Sequence, residues 1–487
     1  MRLKRLQLRK AVETSRNRKH LGLLLSERAS LQALPSLDDY TFELPDKLSK
    51  KQEAFLRGLS ELSFAIREQL GRNDIYIGLS VINEILYSAV VDQDTADPIE
   101  KVFASIVRAG VHKPGILVFP LVSIGFSGFG LFQHNTKASL DVPVLDAGLV
   151  LTPQTNSLDE TRRFLDRACK HLGIPKKIDA DILEHYHRSR PTKWLRANPL
   201  IALSVRSFMG SYYANQYAFL IKLKLAITVI LMASVLQPDA EKENLDYAFS
   251  SSRVNNRSTR DINHYLVFEN FGRRKKLYGN CIPMNLDADE FAELSSFRAE
   301  LRPALWKKNA SLIAEIADAV RKVERKYVWH AGREFEGGAQ ARVCRKLFDS
   351  MAYFRRSFLG RADPGAHVID LAIAFEVLLT DSFASGVGAR LVRRFKLAVS
   401  DAELADSLSE QLVFLYNARS EVVHKGRLET QFDVTAVRKA YIHAFVGVVK
   451  RLDTIPRTSG APIKEMLGDV REQDDATLDP DAANIVE

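Results

Sequence analysis

Hydrophobic positions recur at helical spacing along most of this chain, and the period changes in one central stretch. Phe55, Leu56, Leu59, Leu62 and Phe64 predict an amphipathic helix over 46–71, with further helices over 80–91 and 98–109. Around Gly115 the texture becomes continuously apolar. Ile116 through Val122 reads as a strand, and Gly125, Gly128 and Gly130 among phenylalanines read as tight turns or close strand packing. Asn156-Ser157-Leu158-Asp159-Glu160 combines capping side chains with early carboxylates, the signature of a helix start. A helical stretch is predicted over 194–236, broken near Pro199 and Gly210. Tyr265 to Phe268 and Leu277-Tyr278 read as paired strands around a tip at Gly272 to Lys276. Helix returns over 288–328, interrupted by Pro303, and Gly332, Gly337 and Gly338 mark a boundary. Beyond it come an apolar helix, Val368 to Leu379, an Arg-rich amphipathic one, Ala389 to Leu397, and a long helical pattern ending near Gly426.

These elements predict an α+β protein that is mostly helical, an N-terminal α+β region followed by an all-α C-terminal bundle. Four segments are expected: a basic arm and linker over 1–45, an α+β region over 46–334, a helical domain over 335–455, and an acidic tail over 456–487. The tail is expected to be disordered, because its hydrophobicity is low and its charge high. The longest apolar run, 225–236, has twelve residues. A membrane-crossing helix needs about 20, so the run predicts a buried helix and no membrane association. The N-terminus has basic residues without an apolar core to follow them, which argues against secretion. Cys169, Cys281 and Cys344 lie too far apart to outline a disulfide framework or a CxxC pair, and a reducing cytoplasm is the expected location.

Charge alters this picture. The formal net charge is +9, unevenly spread. Residues 1–20 hold eight Lys/Arg against Glu13 alone, whereas 465–487 hold eight carboxylates against Arg471 alone. The rest of the chain is therefore more basic than the total suggests, which suits a nucleic-acid partner or plain solubility.

The chemistry worth following lies in Tyr416-Asn417-Ala418-Arg419-Ser420-Glu421-Val422-Val423-His424-Lys425-Gly426. Arginine is a permanent cation whose planar fork suits phosphate. Histidine passes protons near neutral pH. Together Arg419 and His424 can hold a phosphodiester and move its protons without a metal or cofactor. Five residues of helix turn the chain by about 140°, so the two side chains do not share a face. Two such helices paired symmetrically would let the arginine of one copy meet a phosphate beside the histidine of the other. The bland alternative is a histidine at a helix C-terminus and a surface arginine.

Several neighbours are candidate supports. Glu376 sits in an apolar helix and needs a cationic partner, with Arg419, Arg390, Arg393 and Arg394 all open. Asn417 and Ser420 flank the arginine and can hydrogen-bond substrate, and Tyr416 can stack on a base or sit in the core. Arg273, Arg274, Lys275 and Lys276 form a cationic hairpin tip, read either as a solvated turn or as a contact for an RNA backbone. Other chemistries find no support. Gly125-x-x-Gly128-x-Gly130 lacks the order and the Lys-Ser/Thr of a phosphate loop, and His185-Tyr186-His187 lacks a third metal ligand. Neither a Gly-x-Ser-x-Gly elbow nor an HExxH helix occurs.

The order of apolar helix, Arg-rich helix and Arg419-x4-His424 resembles the HEPN domain of the Apea-like type, over roughly Gly338 to Leu452. Ile373-Ala374-Phe375-Glu376 supports the match. Many members carry Asn, Asp or His directly after the arginine, where this chain has Ser420. The resemblance implies a helical bundle that cleaves RNA without metal at a homodimer interface, in a toxin or phage-defence setting. It equally admits a catalytically inactive module used for dimerisation or for nucleotide or RNA binding.

Overall fold

The computed structural model describes residues 15–26, 49–73, 77–91, 97–109, 113–121, 124–126, 140–142, 149–152, 157–205, 220–236, 264–270, 275–283, 299–301, 308–331, 338–359, 364–382, 387–429, 433–456 and 458–470, with a few single positions besides. The first four helices are α1 (Ser15–Ser26), α2 (Lys50–Gly71), α3 (Leu79–Val91) and α4 (Pro98–Ala109). Helix α2 begins where a capping box permits. The Ser49 hydroxyl accepts from the Gln52 amide at 3.2 Å, and the Gln52 side chain accepts from the Ser49 amide at 2.9 Å. Phe55, Leu59, Leu62, Ile66 and Leu70 then recur every three or four residues on its buried face. They meet Ile82, Leu86 and Phe103 in an apolar cluster separate from the main core.

The chain next forms β1 (Gly115–Pro120), β2 (Ile124–Phe126), β3 (Leu140–Val142) and β4 (Leu149–Thr152). Helices α5 (Leu158–His171), α6 (Ala180–Arg188) and α7 (Trp194–Ala197) follow, then β5 (Leu200–Val205), helix α8 (Lys222–Val235), β6 (His264–Glu269), β7 (Tyr278–Pro283) and β8 (Ala299–Leu301). Six strands make one sheet in the order β3-β4-β5-β1-β6-β7, each neighbour antiparallel to the next. The start of α5 is as expected, since Ser157 accepts from the Glu160 amide at 3.2 Å.

Strand β5 corrects the helix predicted over 194–236. All six of its residues are buried, between β4 and β1, with Ile116 opposite Ser204. A strand covered on both faces shows no alternation, so Leu200-Ile201-Ala202-Leu203 cannot be told from a buried helix by period. Strand β8 likewise corrects the helix predicted over 288–328. It pairs parallel with β2, Ile124 opposite Ala299, and three residues are too few to leave a periodic signal. The run predicted as a buried helix is α8, and among the described residues no helix is long and apolar enough to cross a membrane.

The C-terminal half is helical: α9 (Ala310–Ala331), α10 (Ala339–Arg356), α11 (Gly365–Leu379), α12 (Val387–Ala398), α13 (Ala402–Lys425), α14 (Val434–Lys450) and the short α15 (Pro462–Leu467). Helices α8 and α9 pack against α14 and α10, and the main core runs continuously from the sheet into the bundle. Packing therefore crosses the boundary expected at 334/335. At the bundle centre Tyr441 is fully buried, its ring stacked on Phe354 at 4.5 Å and its hydroxyl 2.7 Å from Ser350 Oγ. A Cβ at Gly447 would overlap the Ala398 carbonyl, so only glycine lets α14 pass this close to the end of α12.

Residues 458–470 correct the expectation that disorder begins at 456. Pro462, Ile463, Met466 and Leu467 are buried, and Asp469 reaches between Arg393 and Arg394. This segment alternates apolar anchors with charges that find partners, and the averaged composition hides both. Residues 471–487 lie outside those described.

Candidate functional site on helix α13

Helix α13 is fixed at both ends. Asp401 accepts from the Leu404 amide at 3.0 Å, and Gly426 closes the helix in the left-handed conformation, φ 72°, its amide donating to the Val422 carbonyl at 3.0 Å. Ala405, Ser409, Leu412, Leu415 and Ala418 form the buried face. Asn417, Ser420 and His424 lie on the outward face together with Val413 and Phe414, which are 49% and 54% exposed. Of the five large apolar side chains exposed among the described residues, three, Val413, Phe414 and Val423, lie on this helix.

Arg419 projects to a different side, towards α11. Its Nε lies 3.6 Å from Glu376 Oε1, and its guanidinium carbon lies 5.8 Å from the centre of the Tyr416 ring. Tyr416 stands one turn before Arg419, and its hydroxyl donates to the same Glu376 Oε1 at 2.7 Å. Burial, and then the adjacent Glu376 charge, push the Tyr416 hydroxyl well above its ordinary pKa, so it remains a donor. Arg419 keeps 39% of its side chain exposed.

His424 is exposed in the last turn of α13, and among the described residues nothing hydrogen-bonds to its imidazole. The structure thus brings Glu376, Tyr416 and Arg419 together and leaves His424 about 140° away around the helix. Asn417 and Ser420 are exposed on the histidine side rather than beside Glu376. Tyr416, read from sequence as a base stacker or core residue, packs half-buried against the core and donates to Glu376. Its spacing of three from Arg419 was the available signal.

Two of the other arginines offered to Glu376, Arg393 and Arg394, are committed elsewhere. Arg393 Nε and Arg394 Nε bond to the two Asp469 oxygens at 2.9 and 2.8 Å. Arg394 also donates to the Leu379 carbonyl at 2.8 Å and lies 3.2 Å from Asp381 Oδ2. Asp381 in turn accepts from the Ile463 and Lys464 amides, capping α15. Burial alone would raise the Asp469 carboxyl, but bonds from Arg393 and Arg394 outweigh it and hold the group below the usual carboxylate range.

At the cationic hairpin Lys276 is exposed and pairs with Asp179 at 3.3 Å, and Lys275 is exposed; Arg273 and Arg274 lie outside the described residues, as do Gly128 and Gly130. His187 is buried, and its neighbour His185 packs edge-on against Tyr186. Among the described residues no three His, Cys, Asp or Glu are grouped to hold a metal ion. Burial pushes the Cys169 and Cys344 thiols up to about 12, which removes both as nucleophiles at neutral pH.

No protein-family model matches this chain, and neither does any curated protein or solved structure. The functional reading therefore rests on the geometry of α13 and the residues around it.

Proposed function

We propose that this chain is a metal-independent endoribonuclease of the HEPN type, acting as a homodimer through its C-terminal bundle. The observation that carries this reading is the division of labour around α13. A partly exposed cation is held by Glu376 on one side, and an exposed histidine lies on the other, outward face, which also carries Val413 and Phe414 about three turns earlier. Val413 and Phe414 supply apolar area for a second copy of the same helix. A two-fold pairing there brings each His424 towards its partner's motif.

In that arrangement Arg419 neutralises charge developing on the phosphoryl oxygens. His424 takes the proton from a ribose 2′-hydroxyl or gives one to the departing 5′-oxygen. Glu376 limits where the arginine can go, while Asn417 and Ser420 lie on the face shared with the partner and offer hydrogen bonds to the substrate strand. The product is a 2′,3′-cyclic phosphate, and DNA is refused for want of the 2′-hydroxyl. A toxin or phage-defence setting is part of the same proposal.

The test is incubation of the purified protein with total RNA in EDTA, followed by sequencing of the ends. Cleavage with 2′,3′-cyclic phosphate ends is expected, together with a mass by light scattering twice the 54.8 kDa of one chain. A monomer with and without RNA, or intact RNA, would count against the enzyme and leave a non-catalytic binding module in its place.

A further inference from the structure

The ion pair at the candidate site is loose, and the geometry around Glu376 shows why. Glu376 Oε1 already accepts a short bond from the Tyr416 hydroxyl at 2.7 Å, while Arg419 Nε stops 3.6 Å from the same atom. A well-formed N–H to carboxylate bond measures about 2.7–2.9 Å. The guanidinium is therefore near enough to be held and too far to be bonded. We infer that Tyr416 is a positioning residue whose hydroxyl pins the Glu376 carboxylate at this distance and so keeps Arg419 available to a phosphoryl group.

The physical argument concerns where the carboxylate is held. A carboxylate that loses its anchoring donor in a partly buried place turns towards the nearest replacement, because leaving it under-bonded costs free energy. The nearest cation here is Arg419, less than about 1 Å beyond bonding distance. Removing the hydroxyl draws the guanidinium inward, completes the pair and spends its charge on Glu376. Phenylalanine preserves the ring beside Arg419, so Tyr416→Phe changes only the hydrogen bond. The inference rests on the ribonuclease reading for its consequence in catalysis, but not for its geometry.

The experiment therefore has two readouts. In full-length protein labelled with 15N-arginine, the Arg419 Nε–H resonance is assigned by its loss in Arg419→Lys. Tyr416→Phe is expected to shift this proton downfield and slow its exchange with water, and adding Glu376→Gln is expected to reverse both. An unmoved resonance overturns the inference whether or not the protein cuts RNA. In the cleavage assay Tyr416→Phe is expected to lose about tenfold in rate, less than the ~10²–10³ of removing a transition-state donor outright. The double variant Tyr416→Phe, Glu376→Gln is expected to regain most of that loss, because the competitor has lost its charge. A tyrosine that only supports packing predicts the opposite, a double variant no faster than the single one. Intact RNA with the wild-type chain sinks the ribonuclease reading, while the arginine resonance still decides the role of Tyr416.

Discussion

Arg394 and Arg419 sit in the same helical bundle, each beside a carboxylate, and differ in what they have left to give. Arg394 is buried, bonded to Asp469 and the Leu379 carbonyl and in contact with Asp381. Arg419 is 39% exposed and touches Glu376 at 3.6 Å, an acceptor that Tyr416 holds in place. A buried guanidinium must be satisfied on every side, since an uncompensated charge costs several kcal/mol. A partly exposed one can remain under-bonded, because water covers the deficit until a ligand displaces it. The first pattern holds a fold together, and the second suits recognition of an anion.

The contrast breaks most clearly through catalysis. Arg419→Ala and His424→Ala are each expected to lower RNA cleavage by ~10²–10⁴, the usual effect of removing a proton carrier or the cation opposite it. Stability should change by less than ~1 kcal/mol, because an exposed ion pair contributes little. Urea titration alongside the cleavage assay separates the two. An unfolded variant, or a His424 variant that cuts like wild type, would sink the assignment.

Asp469→Ala should do the reverse. Its side chain is 1% exposed, and losing it leaves two arginine charges short of a partner. The expected cost is about 3 kcal/mol, the low end for a broken buried pair, because Arg394 keeps Asp381 and Leu379. Chemical denaturation measures it. A change below ~1 kcal/mol would show that 458–470 is a passive attachment.

The same carboxylate sets a smaller, pH-dependent effect. Its folded pKa lies below the unfolded value of about 3.9, so its contribution is complete above that pH. It is lost as pH falls through the folded value. The stability gap between wild type and Asp469→Asn should hold from pH 7 to pH 5 and narrow towards pH 3. A constant gap would mean that Asp469 acts through packing.

How much of this was legible in the sequence depends on whether a residue's partners are local. Helix α2 announced itself through a regular apolar face, though not its start at Ser49, and Gly426 marked the end of α13. Strand β5 did not, because burial on both faces erased its period. At the candidate site Arg419 and His424 were visible as a spacing, and Glu376 as a carboxylate in an apolar helix. Asp469, 75 residues beyond Arg394, holds Arg393 and Arg394 away from Glu376, and no local pattern carries that. The bond from Tyr416 to Glu376 spans 40 residues and was equally hidden.

The smallest expected effect asks whether exposure alone makes a cation functional. Lys276 is 53% exposed, against 39% for Arg419, and its pair with Asp179 spans 3.3 Å. Its neighbourhood differs, since Arg419 shares a helix with the exposed His424 five residues on, whereas the chain within five residues of Lys276 holds no histidine. Lys276→Ala should leave stability within ~0.5 kcal/mol, as removing one exposed pair does. If the hairpin meets the RNA backbone, affinity should fall alike for all sequences, and its dependence on salt should weaken by about one counterion. The cleavage rate at saturating RNA should not change, because Lys276 contributes to encounter and not to the transition state. A fall in that saturated rate would place the hairpin at the reacting phosphate and end the contrast drawn between Arg419 and other exposed cations.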